Sequence, residues 1–324
     1  MAQMTYLEAI RDGLLGEMRR DPGVFVIGED VGVYGGAFGV TKGFLEEFGP
    51  WRVIDAPLAE TANVGAGIGA AVMGMRPIVE MQFADFVTDA FTQVVNMAAK
   101  FHWRTGHPLP LVIRMPYGGD VKGGPFHSQC MEAWFVHTPG LRVVAPAFAE
   151  DAKGLLVAAI RDPNPVMYFE HKHLYRYQRE EVPEGEHVTP IGRARIVREG
   201  ATLSVISYGW MLHKCLQAAD AVAADGIVAE VLDLRSLAPL DRDAILGSVR
   251  KTGKALIVHE ATRTGGVGAE VAALVAEEAF ESLDGPVVRL ASEDAPVPHS
   301  PVLEAAFQPS MDEIAGAIHR LAAY

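Results

Sequence analysis

Residues 52–86 read RVIDAPLAETANVGAGIGAAVMGMRPIVEMQFADF. Arg52 to Ile54 has strand character and stops at Asp55-Ala56-Pro57, after which Glu60 opens a helix made almost wholly of small residues. Gly65, Gly67 and Gly69 each cost such a helix about 1 kcal/mol against alanine, so very close approach of another backbone or a ligand is expected to offset the loss. Glu60 thus stands at the mouth of a tightly packed, apolar element. Burial disfavours an ionised carboxyl, which suits a group that exchanges a proton with a ligand near neutral pH. The plainer reading is an acid that favours the positive end of a helix dipole. Gly65 to Ala70 also satisfies the dinucleotide pattern G-x-G-x-x-G/A. That pattern needs its glycines in the turn directly after a strand, and here the strand has ended well before Gly65.

Working outward, Val24 to Ile27 is a short apolar run that ends in Gly28-Glu29-Asp30 and a glycine-rich loop, 32–39. Pro77 to Met81 and Leu111 to Arg114 are further runs of strand length. The spacing between them predicts a helix over 87–104, with Phe91, Val94, Val95, Ala98 and Phe101 on its buried side. Buried strands alternating with helices make an α/β fold with a parallel sheet covered on both faces. Ligands in such folds bind beyond the carboxyl ends of the strands. Gly28-Glu29, Asp55 to Glu60, Gln82 to Phe86 and the loop Pro116 to Gln129 (PYGGDVKGGPFHSQ) all fall there. His127 is the one group in that loop whose ordinary pKa lies near 7, so it could pass a proton; a surface histidine is the alternative. Glu29 reads equally as a capping or ion-paired acid, and Phe86 as core.

From Glu180 to Gly200 the chain turns polar and proline-bearing, which predicts two domains, 1–185 and 201–324, joined by a linker over 186–200. A second βα series follows, with strands near 203–207, 227–232, 255–259 and 287–290, helices between them, a final helix from Met311, and a proline-rich loop over 291–309. No catalytic constellation stands out there. His259-Glu260 ends a strand, but docking or dimerisation is the role expected of this half.

With 324 residues, 49% hydrophobic and 21% charged, disordered and fibrous classes are excluded. A formal charge of -13 offers no basic footprint for nucleic acid. Cys130 and Cys215 sit in no zinc-like or C-x-x-C spacing, which fits a reducing compartment. The first 21 residues form an amphipathic pattern and not a signal or transit peptide, and no apolar run spans a bilayer, so a cytoplasmic location without membrane contact is expected.

The segments Asp55 to Glu60 (DAPLAE), Glu80 to Phe86 (EMQFADF), His127-Ser128-Gln129, Asp151 to Leu156 (DAKGLL), Ile160 to Pro165 (IRDPNP) and Val231 to Arg235 (VLDLR) together resemble the beta subunit of the thiamine-diphosphate-dependent 2-oxo acid dehydrogenases. The likeness runs along the whole chain. It implies an N-terminal pyrimidine-binding domain and a transketolase C-terminal domain. By resemblance, Glu60 is the acid that hydrogen-bonds the cofactor's aminopyrimidine ring and activates the thiazolium carbon through a shared proton. Phe86 packs on the pyrimidine, with Leu58 and Gln82 beside it. His127 is implied to orient intermediates and to help pass the acyl group to a lipoyl arm. Leu111, Ala159, Ile160, Asp162 and Asn164 match positions that hold a structural potassium ion, mostly through backbone carbonyls.

The family's diphosphate and magnesium motif, G-D-G followed by asparagines, is missing: Val121 follows Gly118-Gly119-Asp120. The resemblance therefore implies an alpha subunit that brings magnesium and the diphosphate half, an alpha2-beta2 heterotetramer, and docking to a dihydrolipoyl acyltransferase core. A self-sufficient transketolase-type enzyme would need that motif in cis. A non-catalytic docking subunit would not need Glu60 and His127. The runs EMQFADF and FEHKHLYR (169–176) lean towards branched-chain over pyruvate enzymes, and acetoin dehydrogenase beta subunits share much of both.

Overall fold

The computed structural model describes all 324 residues. They fall into two compact units, 1–117 with 134–191 and 118–133 with 192–324.

The first unit opens with β1 (Ala2–Thr5) and α1 (Tyr6–Arg20). A capping box starts α1: the Glu8 amide donates to the Thr5 hydroxyl at 3.2 Å and the Thr5 amide to the Glu8 carboxylate at 2.8 Å. Its buried face carries Tyr6, Ile10, Leu14 and Met18. There follow β2 (Val24–Gly28), α2 (Phe44–Phe48), β3 (Val53–Asp55), α3 (Glu60–Val72) and β4 (Arg76–Glu80). Then come α4 (Ala99–Thr105), β5 (Val112–Tyr117), α5 (Glu132–Val136), β6 (Arg142–Val144), α6 (Ala149–Arg161), β7 (Val166–His171) and β8 (Arg179–Val182). Strands β6-β7-β5-β4-β2-β3 lie side by side and run parallel. Every residue of β2, β5 and β7 is buried, because helices cover both faces of a parallel sheet and leave no solvated side.

In the second unit, β9 (Arg195–Arg198), β10 (Leu203–Ser207), α7 (Gly209–Ala223), β11 (Ala229–Asp233), β12 (Ser236–Ala238), α8 (Arg242–Thr252), β13 (Ala255–Thr262), α9 (Val267–Glu278), β14 (Val288–Ser292), α10 (Pro301–Phe307) and α11 (Met311–Ala322) follow in order. The sheet runs β14-β13-β10-β11-β9, parallel except for the antiparallel edge strand β9.

Four expectations change. The helix over 87–104 is not regular: a 3-10 segment (Ala84–Ala90) and a π segment (Gln93–Ala98) precede α4. The extra residue in the π turn rotates the apolar face, and Phe91 is 36% exposed and not core. The polar stretch taken as a linker, 186–200, is held at both ends. Thr189 is buried and donates to Asp151 Oδ1 at 3.3 Å, while 195–198 is edge strand β9, whose exposed face explains the polar composition. The proline-rich loop contains α10, which Pro301 can start because the first-turn amide it lacks has no intrahelical partner. Finally, 118–133 belongs with the second unit, so the domain expected over 1–185 is interrupted by a segment of its neighbour.

Candidate active site

Several first-unit residues singled out in the sequence stand on segments that leave the carboxyl ends of β2, β3 and β4. Asp55 closes β3 and accepts the Gly32 amide at 2.5 Å, which draws the glycine loop down onto the strand end. Gly28 has to be glycine, since a Cβ there would come within 2.6 Å of the Glu80 carbonyl oxygen. Glu60 is the first residue of α3 and only 6% exposed, yet its carboxylate has no hydrogen bond or ion pair within the chain. The Thr61 hydroxyl donates to the Asp89 carbonyl and ties the head of α3 to the 3-10 segment that carries Phe86. Phe83 packs edge-on against Phe86 (5.7 Å) and Phe38 (5.6 Å). Gln82 Nε2 donates to Asp30 Oδ2 at 3.1 Å, and Asp30 holds a left-handed φ of 56°. Leu58, by contrast, is 78% exposed. Glu29 is buried at the end of β2, and burial, followed by the charges of Glu60 and Asp30, pushes its carboxyl pKa up.

One strand further in, a buried triad braces these ends. Arg114 on β5 donates to Glu80 Oε2 at 2.5 Å and to both oxygens of Glu170 on β7, at 2.5 and 2.8 Å. Tyr175 OH adds a donor to Glu170. Burial would lower the guanidinium pKa, but the charges of Glu170 and Glu80 outweigh it and hold Arg114 protonated. Nothing in the sequence marked this triad beyond an arginine inside an apolar run.

The pyrimidine half of a thiamine site fits what is present. A buried acid without an internal donor stands at a helix head, and the 3-10 segment with an aromatic ring is fastened to that helix. The oxygens that the resemblance assigns to potassium are hard donors, but both Asp162 oxygens are already engaged, Oδ1 by the Asn164 amides and Oδ2 by Arg142. They cluster at the turn from α6 to β7 and at the start of β5, where Leu111 O accepts from Val166 N, Ala159 O from Asp162 N and Ile160 O from Arg76 Nη1 at 2.8, 3.3 and 2.7 Å. Each carbonyl keeps a second lone pair. Asp162 Oδ2 faces Arg142 at 2.7 Å, and Asn164 Oδ1 faces His102 Nδ1 at 2.7 Å. No cluster of three or more His, Cys, Asp or Glu side chains forms a transition-metal-type site.

His127 stands in the second unit, half-buried between exposed Phe126 and buried Ser128, and its amide donates to the Gly124 carbonyl at 3.3 Å. A cavity of about 330 Å³ elsewhere in the first unit is lined by α1 and α6 and not by strand ends. Its Lys153 and Arg161 are already paired with Asp12, Glu17 and Glu186, so it offers no unspent charge to a ligand.

Comparison with known proteins now bears on this geometry. The family profile for the transketolase pyrimidine-binding domain matches residues 2–178, and that for the transketolase C-terminal domain matches 192–314. The 2-oxoisovalerate dehydrogenase subunit beta of Bacillus subtilis is 48% identical over the full length of both chains. The chain belongs to the E1 beta family of 2-oxo acid dehydrogenases. The E1 beta subunit of pyruvate dehydrogenase from Staphylococcus epidermidis is 47% identical over 92% of each chain. A mitochondrial E1 beta of rice is 43% identical over 98% of this chain and 86% of its own. A solved structure described as a split-gene transketolase, inactive beta4 tetramer, superposes with a TM-score of 0.81 over 99% of each chain at 23% identity, which speaks for the fold alone. Identities of 48% and 47% do not separate branched-chain from pyruvate relatives. No helix is long and apolar enough to cross a membrane.

Proposed function

We propose that this E1 beta chain supplies the pyrimidine half of a thiamine diphosphate site, in an alpha2-beta2 enzyme that oxidatively decarboxylates a 2-oxo acid and acylates lipoyl groups. The observation that carries the reading is Glu60: a residue only 6% exposed whose carboxylate has no donor inside its own chain, at a helix head beyond a strand end. A carboxylate left without an internal partner is open to a donor brought by a bound molecule. Glu60 would hold a proton at the ring nitrogen of the aminopyrimidine. Phe86 would pack on that ring, Leu58 would be covered by it and by the partner chain, and Gln82, oriented by Asp30, would line its edge. Bound thiamine diphosphate supplies the nucleophilic carbon and the electron sink for loss of carbon dioxide. His127 would orient the acyl group for transfer to a lipoyl arm carried by the acyltransferase core. The alpha subunit would bring magnesium and the diphosphate grip, since Val121 breaks the G-D-G pattern in this chain. The carbonyls of Leu111, Ala159 and Ile160, with Asp162 and Asn164, would hold potassium.

The preferred substrate is a branched-chain 2-oxo acid, supported by the EMQFADF and FEHKHLYR runs; acetoin is the second reading, because relatives that cleave it share those runs. The test is the rate of the enzyme reconstituted with its alpha partner on branched-chain 2-oxo acids, pyruvate and acetoin. Highest kcat/KM on a branched-chain acid is expected, and turnover of acetoin alone would overturn the assignment. Absence of turnover on all three in a cofactor-loaded tetramer would favour a docking subunit.

A further inference from the structure

The segment 118–133, which carries His127, packs with the second unit, and buried polar groups that the reaction leaves without a task fasten it there. At its start, Glu260 Oε1, near the end of β13, accepts the Gly119 amide at 2.5 Å. Space is so short that a Cβ on Gly119 would come within 2.6 Å of Gln308 Nε2, 3.1 Å of Glu304 Oε1 and 3.2 Å of Glu260 Oε1. Two non-glycine residues close by, Asp120 (φ 58°) and Lys122 (φ 61°), are left-handed, a state that persists only where the surroundings over-determine it. The second unit does so. Trp210 Nε1 donates to Asp120 Oδ2 at 2.5 Å, Lys214 Nζ stands 3.3 Å from the same oxygen, and the Lys122 amide donates to Glu304 Oε2 at 3.2 Å. At the far end, Tyr208 OH donates to Glu132 Oε1 at 2.5 Å. The Tyr208 ring stacks on His259, which burial keeps neutral by pushing its pKa down to about 4. His259 is itself gripped by Gly266 and Gly268, where a Cβ would stand 2.5 and 2.6 Å from its ring. His127 lies between the two anchors.

We propose that Glu260 is a positioning residue for His127: through the Gly119 amide, and with Glu132 and Tyr208 closing the other end, the transketolase C-terminal unit fixes where the imidazole of the loop stands. A carboxylate suits this task because a charge-assisted bond to a backbone N–H is about twice as strong as a neutral one. The inference rests on the reading of His127 as the acyl-transfer residue.

The test uses the enzyme reconstituted with its alpha partner. Glu260→Ala removes the acceptor, and Glu260→Gln keeps a carbonyl oxygen in its place. Glu260→Ala is expected to slow reductive acylation of a lipoyl domain by about 10- to 100-fold, with KM for the 2-oxo acid held within about twofold, because a misplaced group costs rate and not substrate binding. Glu260→Gln should recover most of that loss. Amide exchange across 118–131 should quicken in Glu260→Ala and not in Glu260→Gln. On a His127→Ala background, Glu260→Ala should add little. Wild-type acylation by Glu260→Ala, equal damage from both substitutions, or full multiplication of the Glu260 and His127 losses would each overturn the proposal. Wild-type acylation by His127→Ala would instead overturn the role given to His127, and quickened exchange in Glu260→Ala would still establish the anchor.

Discussion

Glu60 and Glu260 occupy similar places, each a buried acid near the carboxyl end of a strand in a parallel sheet, one in each unit. They differ in what their oxygens meet. Glu260 accepts a backbone amide of its own chain, whereas Glu60 meets no donor within the chain. A carboxylate taken up by a backbone amide holds backbone in place; one without an internal partner is open to a donor from outside. The largest effect that can break this contrast is on Glu60. Glu60→Gln in the enzyme reconstituted with its alpha partner should lower turnover by about 10³-fold or more, the upper range for loss of a positioned acid or base. Hydrogen–deuterium exchange at the reactive carbon of bound cofactor should fall with it, and a wild-type exchange rate in this variant would end the assignment of Glu60.

The triad beneath the same strand ends gives the next effect. Replacing Arg114 with Met leaves Glu80 and Glu170 buried without their cation, and breaking a buried pair in this way costs about 3–5 kcal/mol. A chemical-denaturation midpoint unchanged by Arg114→Met would show that water or proton uptake relieves the two acids, and that the sheet does not depend on the ion pair.

Glu132 sharpens the contrast through pH. Burial, opposed by the Tyr208 hydrogen bond, raises its pKa from 4.5 to about 7. The fold therefore favours the neutral carboxyl: its contribution to stability is fully present below pH 4.5 and is lost as pH rises through about 7. The full swing for that shift is about 3 kcal/mol. Glu132→Gln should flatten the stability profile between pH 5 and 8 relative to the unmutated chain. Parallel profiles for the two proteins would mean that Glu132 stays ionised throughout.

The strands and helices of both units were readable because buried parallel strands leave continuous apolar runs, such as VFVI at Val24 to Ile27 and LSVIS at Leu203 to Ser207, bounded by turn residues. The site was readable in part. Glu60 was marked by the cost of the glycines behind it, but the choice between a dipole acid and a functional one turned on the resemblance. What escaped was non-local. No pattern in PYGGDVKGGPFHSQ says that it packs with residues 90 and 141 positions later, because a backbone amide meeting Glu260 and an indole meeting Asp120 leave no periodicity. The π turn at Gln93 to Ala98 was invisible for a related reason: one inserted residue changes the buried face without changing composition.

The smallest prediction sets two faces of one helix against each other. A Cβ on Gly67 would come within 2.8 Å of Val79 Cγ2 and 3.2 Å of Leu111 Cδ1, whereas one on Gly65 or Gly69 would meet nothing within 4 Å in this chain. Alanine gains about 1 kcal/mol of helix propensity at either face. At Gly67 the overpacking cost of about 1–3 kcal/mol cancels or exceeds that gain. Gly69→Ala should therefore raise the melting temperature of the beta chain alone while Gly67→Ala leaves it level or lowers it. If the open face of α3 is where another chain approaches, Gly69→Ala should also weaken assembly with the alpha partner, read as the concentration dependence of complex formation. Equal stabilisation by both substitutions would mean that α3 moves readily off β4, and the glycine at position 67 would then need another explanation than close packing on the sheet.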